Sequence, residues 1–390
     1  MTKAMQARNL RVIRTDLLRE NMKKIRASVP ESAKVMAVVK ADGYGHGAAE
    51  TARAALEGGA EYLAVASVAE GIELRKNGFT APILVLGAVC AGDVSEGVLF
   101  GLIQTVCSPA MVRLCEAAGT EAGKTAEIHL KIDTGMGRIG VRTREELLAV
   151  SAEIDRCPHV RLTGAFTHFS DADGDEAGIE YTEKQFEKFT ELSGMLPGTI
   201  LRHCANSAAI QRKPEYALDM VRAGISFYGY PPVAENNPGL EPCMRWTAKI
   251  SHIKEMDAGE YISYGRTFRT ERKTRVATVT CGYGDGYHRA AGPKAEVLIH
   301  GKRAKVLGRI CMDQMLADVS GIPEAKEEDE VVLIGRDGND RIDAEEIAAW
   351  SGTISYEILL SVGSRVGRVF EDRNNTEDRN IIKEDETDDK

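Results

Sequence analysis

Eight short runs of apolar and β-branched residues recur through the first 230 residues of this 390-residue chain. They lie at 33–40, 62–67, 82–87, 102–108, 127–133, 161–169, 200–207 and 220–225. Segments with apolar residues at helical spacing separate most of them, most clearly at 48–56, 143–155 and 182–196. Strands that alternate with helices predict a parallel sheet, and eight such units favour a (β/α)8 barrel. A doubly wound sheet is the alternative fold for this pattern.

The pattern changes after Pro231 and Pro232. From about residue 241, alternating runs separated by turns predict a mainly antiparallel β domain, with two short helical segments near its end. We therefore predict a barrel domain over 10–238, whose first residues could instead pack with the β domain, a β domain over 239–370, and an acidic tail over 371–390. The tail carries nine acidic and four basic residues and no aromatic residue, a composition typical of disorder.

The composition argues against several classes of protein. The net charge of −9 disfavours a nucleic-acid partner, and no apolar run reaches the ~18 residues that a membrane helix needs. The N-terminus is basic but lacks the apolar segment of a signal peptide. Eight cysteines are scattered without a CxxC pair, which favours reduced thiols in a cytoplasmic protein. Neither they nor the eight histidines show metal-binding spacing.

The active site of such a barrel forms where the carboxyl ends of its strands meet. Charged and polar residues, with a Gly-Ile pair after the last of them, occupy five of the predicted strand ends. In chain order they are Lys40; Lys131, Asp133 and Arg138; His168; Asn206 and Ser207; and Arg222, Gly224 and Ile225. Any one of them could be an ordinary loop residue, but their coincidence at five ends favours a functional site.

The ends of the last two predicted strands are typical of a phosphate site, because they combine a hydroxyl, a glycine and backbone amides. Lys40, at the end of the first strand, offers an amine that could bind an aldehyde covalently. A phosphorylated cofactor with an aldehyde group satisfies both features. The pattern therefore points to pyridoxal 5′-phosphate (PLP).

Nine motifs, in order between about residues 10 and 370, resemble those of the alanine racemase family. They are AVVKADGYGHG, KIDTGMGRIG, THFSDAD, HCANSAA, VRAGISFYG, SYGRTF, GYGDGY, GRICMDQ and SYEILLSVGSRVGR. The resemblance implies a PLP-dependent racemase that interconverts L-alanine and D-alanine, with a barrel followed by a β domain. It also implies a homodimer whose active sites each join one subunit's barrel to the other's β domain, and a role in supplying D-alanine for peptidoglycan.

The resemblance also implies catalytic roles. Lys40 would hold PLP and act as one base, while Tyr264 of SYGRTF would act as the second base on the opposite face of the reacting carbon. A phenol ionises more readily near positive charge, which His168 and Arg222 would supply. Arg222 would face the pyridine nitrogen. Because an arginine is permanently charged, the ring would be a weaker electron sink than beside a carboxylate.

Further contacts follow from the same resemblance. Those to PLP would come from Tyr44, Asn206, Ser207, Gly224, Ile225 and Tyr356. The substrate carboxylate would meet Arg138 and the backbone amide of Met312, with Asp313 in the same loop. Lys131 matches a position at which family members often carry a carbamylated lysine, and burial there would disfavour a cation. An unmodified Lys131 paired with Asp133 is the alternative.

A narrow, charged access corridor would favour small zwitterionic amino acids. The matching positions are Asp173, Tyr283, Arg289, Arg309 and Ile354. Asp171 stands where a small neutral residue is more usual, which leaves the side-chain preference open, and His46 has no role beyond a structural one. GYGDG is not a dinucleotide fingerprint, because it lacks GxGxxG spacing and lies in the β domain.

Three alternatives stay open at this point. The chain could racemise serine or a broader set of amino acids, because a pocket separates substrates that differ by one small group by only ~1–3 kcal/mol. A barrel-fold PLP decarboxylase of basic amino acids is less compatible with Arg222 and Tyr264. A non-catalytic PLP-binding barrel would lack the β domain predicted over 239–370.

Overall fold

The computed structural model describes residues 8–374 and divides the chain into two compact units. The barrel unit comprises residues 18–241, and the β unit combines the segment before residue 18 with the chain from Pro242 onward. The predicted tail falls largely at 375–390, outside the described residues. The first elements along the chain are β1 (Asn9–Arg14) and α1 (Thr15–Ser28).

Eight parallel strands form the core of the barrel unit. They are β2 (Lys34–Val38), β3 (Tyr62–Val65), β4 (Ile83–Val85), β5 (Ile103–Val106), β6 (Ala126–Lys131), β7 (Val160–Phe166), β8 (Leu201–His203) and β9 (Met220–Ala223). They pair in the order β8-β7-β6-β5-β4-β3-β2-β9. Backbone bonds from Asp219 to Arg202 (3.1 Å) and from Arg222 to Ala205 (3.0 Å) join the two ends of this order. The predicted (β/α)8 barrel is thus confirmed.

Helices alternate with these strands. They are α2 (Lys40–Tyr44), α3 (Ala48–Glu57), α4 (Val68–Lys76), α5 (Ala91–Leu99), α6 (Pro109–Ala122), α7 (Arg144–Ile154), α8 (Glu176–Ser193) and α9 (Ser207–Arg212), with 3-10 turns at Pro214–Ala217, Ile225–Tyr228 and Ala234–Asn236. The short segment labelled α2 is an exception, because it has a left-handed backbone at Ala41, Asp42 and Gly43. Side-chain oxygens that accept first-turn amides begin several helices, which satisfies donors that a helix leaves unpaired. These caps are Ser67, Ser108, Thr143, Asp175 and Asn206. The strands are buried on both faces, as parallel strands between a filled interior and outer helices must be.

The β unit is mainly antiparallel, as predicted. Its further strands are β10 (Met244–Met256), β11 (Tyr261–Ile262), β12 (Phe268–Arg269), β13 (Thr274–Val279), β14 (Glu296–Ile299), β15 (Lys302–Lys305), β16 (Met315–Asp318), β17 (Glu330–Asp337), β18 (Asp340–Ile342) and β19 (Gly367–Glu371). Its helices are α10 (Ala344–Ser351) and α11 (Ser355–Ser361), with 3-10 turns at Tyr264–Arg266 and Arg289–Ala291. The main sheet follows the order β15-β14-β17-β10-β1-β19, and β11 and β12 form a separate hairpin.

β1 lies in the sheet of the β unit and not in the barrel. It pairs antiparallel with β10 and parallel with β19, so the two ends of the described chain meet in one sheet. β19 ends at Glu371, one residue into the segment assigned to the tail. Among residues 8–374, no helix is both long enough and apolar enough to cross a membrane.

Candidate active site

Most of the side chains singled out in the barrel unit share one rim. Lys40 follows β2, Lys131 ends β6, and His168 follows β7. Because the eight strands are parallel, their carboxyl ends meet on the same side of the barrel. Burial lowers the pKa of Lys40, Lys131 and His168, and the nearby positive charge of Arg138 lowers each of them further.

Lys40 begins a left-handed turn. β2 ends at Val38, and the next residues include four with positive φ: Ala41 (52°), Asp42 (51°), Gly43 (60°) and Tyr44 (53°). Left-handed backbone costs about 1–2 kcal/mol per non-glycine residue, so this turn needs support from its surroundings. Glu70 supplies part of it, because its carboxylate accepts the Ala41 amide at 2.8 Å.

The amine of Lys40 is shifted toward its neutral form. Burial lowers the pKa of Lys40, and the nearby cation of Arg138 lowers it further, whereas Glu70 opposes the shift. A lysine in this state can accept a proton more readily near neutral pH than an exposed lysine, whose pKa is about 10.4.

Two hydroxyl groups converge on Gly224. A Cβ atom there would lie 3.5 Å from both the Ser207 and the Tyr44 hydroxyl oxygens, and the Gly224 amide donates to Ser207 Oγ at 3.0 Å. Ile225 begins a 3-10 turn, whose first amides have no partner within the turn. Burial raises the pKa of Tyr44 to about 12, so its phenol stays protonated. Asn206 caps α9 by accepting a first-turn amide at 3.0 Å.

Arg222 is held from several directions. Its guanidinium donates to the carbonyl oxygens of Thr167 (2.8 Å), His203 (3.1 Å) and Cys204 (2.9 Å). It also lies 3.3 Å from Nδ1 of His168. Burial lowers the pKa of Arg222 to about 10, which still leaves it charged at neutral pH. Burial, followed by the Arg222 charge, lowers the pKa of His168 well below its usual value, so the positive charge of this pair rests on Arg222.

Lys131 is buried without a carboxylate partner. Its amine donates to the next carbonyl along the chain (3.3 Å) and lies 5.0 Å from the ring centre of Phe166. Burial, with Arg222 and Arg138 adding to it, lowers the pKa of Lys131 to about 7. The Asp133 carboxylate instead accepts two glycine amides of the following loop at 3.1 and 3.0 Å. In the described part of this unit Lys131 forms no ion pair, so the alternative pairing with Asp133 is not observed.

Most of the predicted site residues of the β unit are exposed, while Tyr356 is half-buried in a helix. Tyr264 is 66% exposed at the tip of the β11–β12 hairpin. Met312 and Asp313 lie in the loop 308–314, where Asp313 pairs with Arg365 at 2.7 Å. Tyr356 lies in α11, which Ile354 precedes as an exposed cap.

The predicted corridor residues fall in both units. An open depression of about 390 Å³ in the β unit is lined by Tyr283, Gly286, Tyr287, His288, Arg289, Ala290 and Ser361. It includes two of the predicted positions, and Arg309 is exposed in the loop 308–314. In the barrel unit Asp173 is exposed, and the Asp171 carboxylate packs where side chains on Gly174 and Gly178 would clash. Within residues 8–374, no cluster of three or more potential metal ligands is found.

Comparison with known proteins agrees with this architecture. Residues 13–232 match the family model "Alanine racemase, N-terminal domain", and residues 243–370 match "Alanine racemase, C-terminal domain". The chain belongs to the alanine racemase family. An alanine racemase of Desulforamulus reducens is 43% identical over 365 residues, covering 92% of this chain and 97% of the relative. One of Clostridium perfringens is 42% identical over 366 residues, covering 92% and 94%.

Solved alanine racemase structures share the fold. The Bacillus anthracis enzyme with bound L-Ala-P superposes with a TM-score of 0.87 at 36% identity, covering 95% of this chain and 96% of that one. The Clostridium difficile enzyme gives a TM-score of 0.88 at 39% identity, covering 95% and 97%. The family resemblance, the alanine racemase activity and the dependence on PLP are thereby confirmed.

The barrel rim fits PLP chemically. The hydroxyls that converge on Gly224 provide donors for a phosphate, and Lys40 provides the amine for the aldehyde. Arg222 supplies a buried cation on the same rim. The individual assignments of residues in the alanine racemase site remain predictions.

Sequence reasoning missed two histidines of the alanine racemase barrel. Nη1 of Arg222 lies 3.0 Å from Nδ1 of His203, and Nε2 of His203 lies 2.9 Å from Nδ1 of His129. Because a guanidinium only donates, His203 carries its proton on Nε2 and donates it to His129. Burial lowers the pKa of His129 to about 3 and that of His203 well below its usual value, so both rings are neutral. His203 opens the HCANSAA motif, but no sequence signal connects it with His129.

The GYGDGY motif contains another missed residue. Asp285 is fully buried and pairs with Arg8 (2.7 Å) and Arg365 (3.5 Å). The backbone amide of Gly284 donates to the carbonyl of Met312 at 2.7 Å. The motif therefore supports the loop that carries Met312 and Asp313.

Proposed function

We propose that this alanine racemase moves the Cα proton of alanine between two bases, Lys40 and Tyr264. One observation carries the proposal. A lysine with a lowered pKa, a hydroxyl and amide cradle at Gly224, and the buried Arg222 share one barrel rim. Racemisation needs a proton acceptor on one face of the reacting carbon and a donor on the other, because a single base would return the proton to the face it came from.

Lys40 acts at one face. Burial and Arg138 lower its pKa, so that Nζ can hold a proton and release it within one turnover near neutral pH. Bound PLP supplies an electron sink that makes the Cα proton of the amino acid acidic. Tyr44, Ser207 and the amides at Gly224 and Ile225 would hold its phosphate, with Asn206 fixing the start of α9 beside them and Tyr356 contributing from the β unit.

Tyr264 acts at the other face through its phenol oxygen. The charge of Arg222, transmitted through its contact with His168, would favour the ionised phenol. Arg222 would also lie against the pyridine nitrogen. A second proton beside a permanent cation is disfavoured, which limits the electron sink and so suppresses transamination as a side reaction.

The substrate carboxylate would bind between Arg138 and the backbone amide of Met312, beside Asp313. We propose that Lys131 is carbamylated, which turns a buried amine into an anion able to orient the Arg138 guanidinium. Small zwitterions would reach the site past Asp173, Tyr283, Arg289, Arg309 and Ile354.

We further propose a homodimer in which each site joins the barrel unit of one copy to the β unit of the other. The β unit exposes six large apolar or aromatic side chains, which an interface with a second copy would bury. They are Tyr261, Tyr264, Tyr283, Met312, Ile354 and Leu360. C2 symmetry would provide two equivalent sites.

The physiological role we propose is the supply of D-alanine for peptidoglycan in the cytoplasm. All eight cysteines are unpaired in the structure, which is compatible with a reducing compartment. No nucleic-acid or membrane partner is part of this proposal.

The test is to incubate the purified protein and PLP with L-alanine in heavy water. We expect D-alanine that carries deuterium at Cα. Parallel incubations with L-serine and L-lysine rank the substrates. Release of CO2, or the absence of exchange at Cα, would overturn the proposal.

A further inference from the structure

We propose that Ser263 is a positioning residue, whose hydroxyl ties the hairpin tip that presents Tyr264 to the loop that presents Met312. The inference deepens the proposed two-base mechanism and rests on it. It concerns only the β unit, in which both segments lie.

The backbone of Ser263 has a conformation that suits glycine. Its φ is 63° and its ψ is −176°, a region in which a Cβ atom is strained and which glycine alone occupies freely. Gly265 (φ 70°) and Arg266 (φ 51°) continue this unusual path on the other side of Tyr264. A glycine at 263 would relieve the strain, so the serine side chain must offset it by a contact of its own.

That contact is visible in the structure. The Ser263 hydroxyl donates to the carbonyl oxygen of Arg309, and its oxygen lies 3.6 Å from the sulfur of Cys311. Both partners belong to the loop 308–314. The two segments approach closely, because a Cβ atom on Gly308 would lie only 2.8 Å from the carbonyl oxygen of Ile262.

The remainder of the hairpin explains why one hydroxyl matters. Ile262 is anchored in a buried cluster with Val276 and Leu307, whereas two residues later Tyr264 is 66% exposed. Ser263, which lies between them, bonds through its side chain to the loop 308–314. On the other side of Tyr264, the Arg309 guanidinium packs against Gly265, and among the described residues it makes no hydrogen bond that would fix the tip. The Ser263 bond therefore sets the distance between the proposed base and the proposed carboxylate donor.

Backbone hydrogen bonds and close packing support the loop side of the contact. The carbonyls of Cys311 and Met312 accept backbone amides from Tyr283 (3.0 Å) and Gly284 (2.7 Å). A Cβ atom on Gly282 would lie 2.4 Å from both carbonyl oxygens, so the GYGDGY turn packs directly beneath this loop. Ser263 thus ties the hairpin tip to a segment that is itself bonded to the GYGDGY turn.

The decisive variant is Ser263→Gly, because it removes the hydroxyl and relieves the backbone strain at once. We expect a thermal midpoint equal to or above that of the wild type, with kcat lowered about 10- to 100-fold, since small misplacements of a catalytic group cost this much. Ser263→Ala should lower kcat similarly and also lower the thermal midpoint, because it keeps the strain. Ser251→Ala is the matched control. It removes a hydroxyl that donates to the Thr278 carbonyl at 3.2 Å elsewhere in the β unit, and it should retain wild-type kcat.

A second readout separates positioning from general damage. With Cα-deuterated alanine, a displaced Tyr264 should raise the substrate isotope effect for the enantiomer whose Cα–H faces that residue, and not for the other enantiomer. Wild-type kcat in Ser263→Gly, or equal isotope effects for the two enantiomers in that variant, would overturn the inference. If Tyr264→Phe is inactive in the same assays, the two-base proposal stands even then. Full activity of Tyr264→Phe would overturn both.

Discussion

The proposed carbamylation of Lys131 makes a quantitative prediction about pH. The reaction joins the neutral amine to CO2 and releases a proton, so its extent depends on how much of the lysine is unprotonated. With a pKa of about 7, roughly nine-tenths of Lys131 is neutral at pH 8, against about 0.4% of an ordinary lysine. At pH 6 the neutral fraction falls to about one-tenth, and the carbamate should be lost.

The same shift has a consequence for stability. The pKa of Lys131 is lower in the folded than in the unfolded chain, so the unfolded state binds more protons between pH about 7 and 10. The unfolding free energy of the unmodified protein therefore rises with pH across this window. Below pH 7 the full cost applies, about 5 kcal/mol for the difference between a pKa of 10.5 and one of about 7.

Intact-mass measurement under non-denaturing conditions gives the direct assay. In bicarbonate buffer at pH 8 the wild type should be heavier by one CO2 than the same protein after acidification, and Lys131→Met should show no difference. At pH 6 and without CO2, Lys131→Met should unfold at higher urea concentration than the wild type. Identical wild-type masses at pH 8 and after acidification would refute the modification, and a destabilised Lys131→Met at pH 6 would refute the burial argument behind it.

Three further predictions follow from other contacts. If the sites are shared, equal amounts of inactive Lys40→Ala and inactive Tyr264→Phe, mixed and re-formed as dimers, should regain about one quarter of wild-type activity. Half of the re-formed dimers are hybrids, and each hybrid has one intact site of two. No recovery would exclude sharing. Asp285→Asn should lower the unfolding free energy by about 1–3 kcal/mol in urea titrations, because it removes a buried charge that pairs with two arginines. The loss stays in this range because both arginines are half-exposed and water can solvate them in the variant. Asp313→Asn, in an exposed pair, should cost less than about 1 kcal/mol, and equal losses would contradict the role of burial. Arg222→Glu should increase the conversion of PLP to its amine form during turnover, followed by absorbance, whereas Arg222→Lys should not; unchanged cofactor loss in Arg222→Glu would argue against the control exerted by Arg222.

Much of the fold could be read from the sequence because the signals are local. Each barrel strand coincides with one predicted apolar run, and α3, α7 and α8 coincide with the clearest helical segments. β1 was harder to assign, because a single strand near the N-terminus has no local feature that selects its sheet. Its pairing with β19 joins residues more than 350 positions apart, and such a contact depends on the whole fold.

The proposed active site likewise combines features that the sequence indicates with features that depend on contacts between distant residues. The sequence marked Lys40 as a charge at the end of a strand, but the left-handed turn that follows it depends on contacts with distant residues such as Glu70. Arg222 was singled out, whereas His203 and His129 were not, because their link spans 74 residues and is a hydrogen bond between buried rings.

The sequence by itself determined the order of elements, the lysine and the tyrosine of the proposed mechanism, and the family to which they belong. These follow from residue types at fixed spacing. The tertiary structure alone decided the protonation states. His168 is neutral, Lys131 lies near its titration point and Arg222 keeps its charge. Burial and neighbouring charges set these states, and both arise only when segments far apart in the chain are packed together.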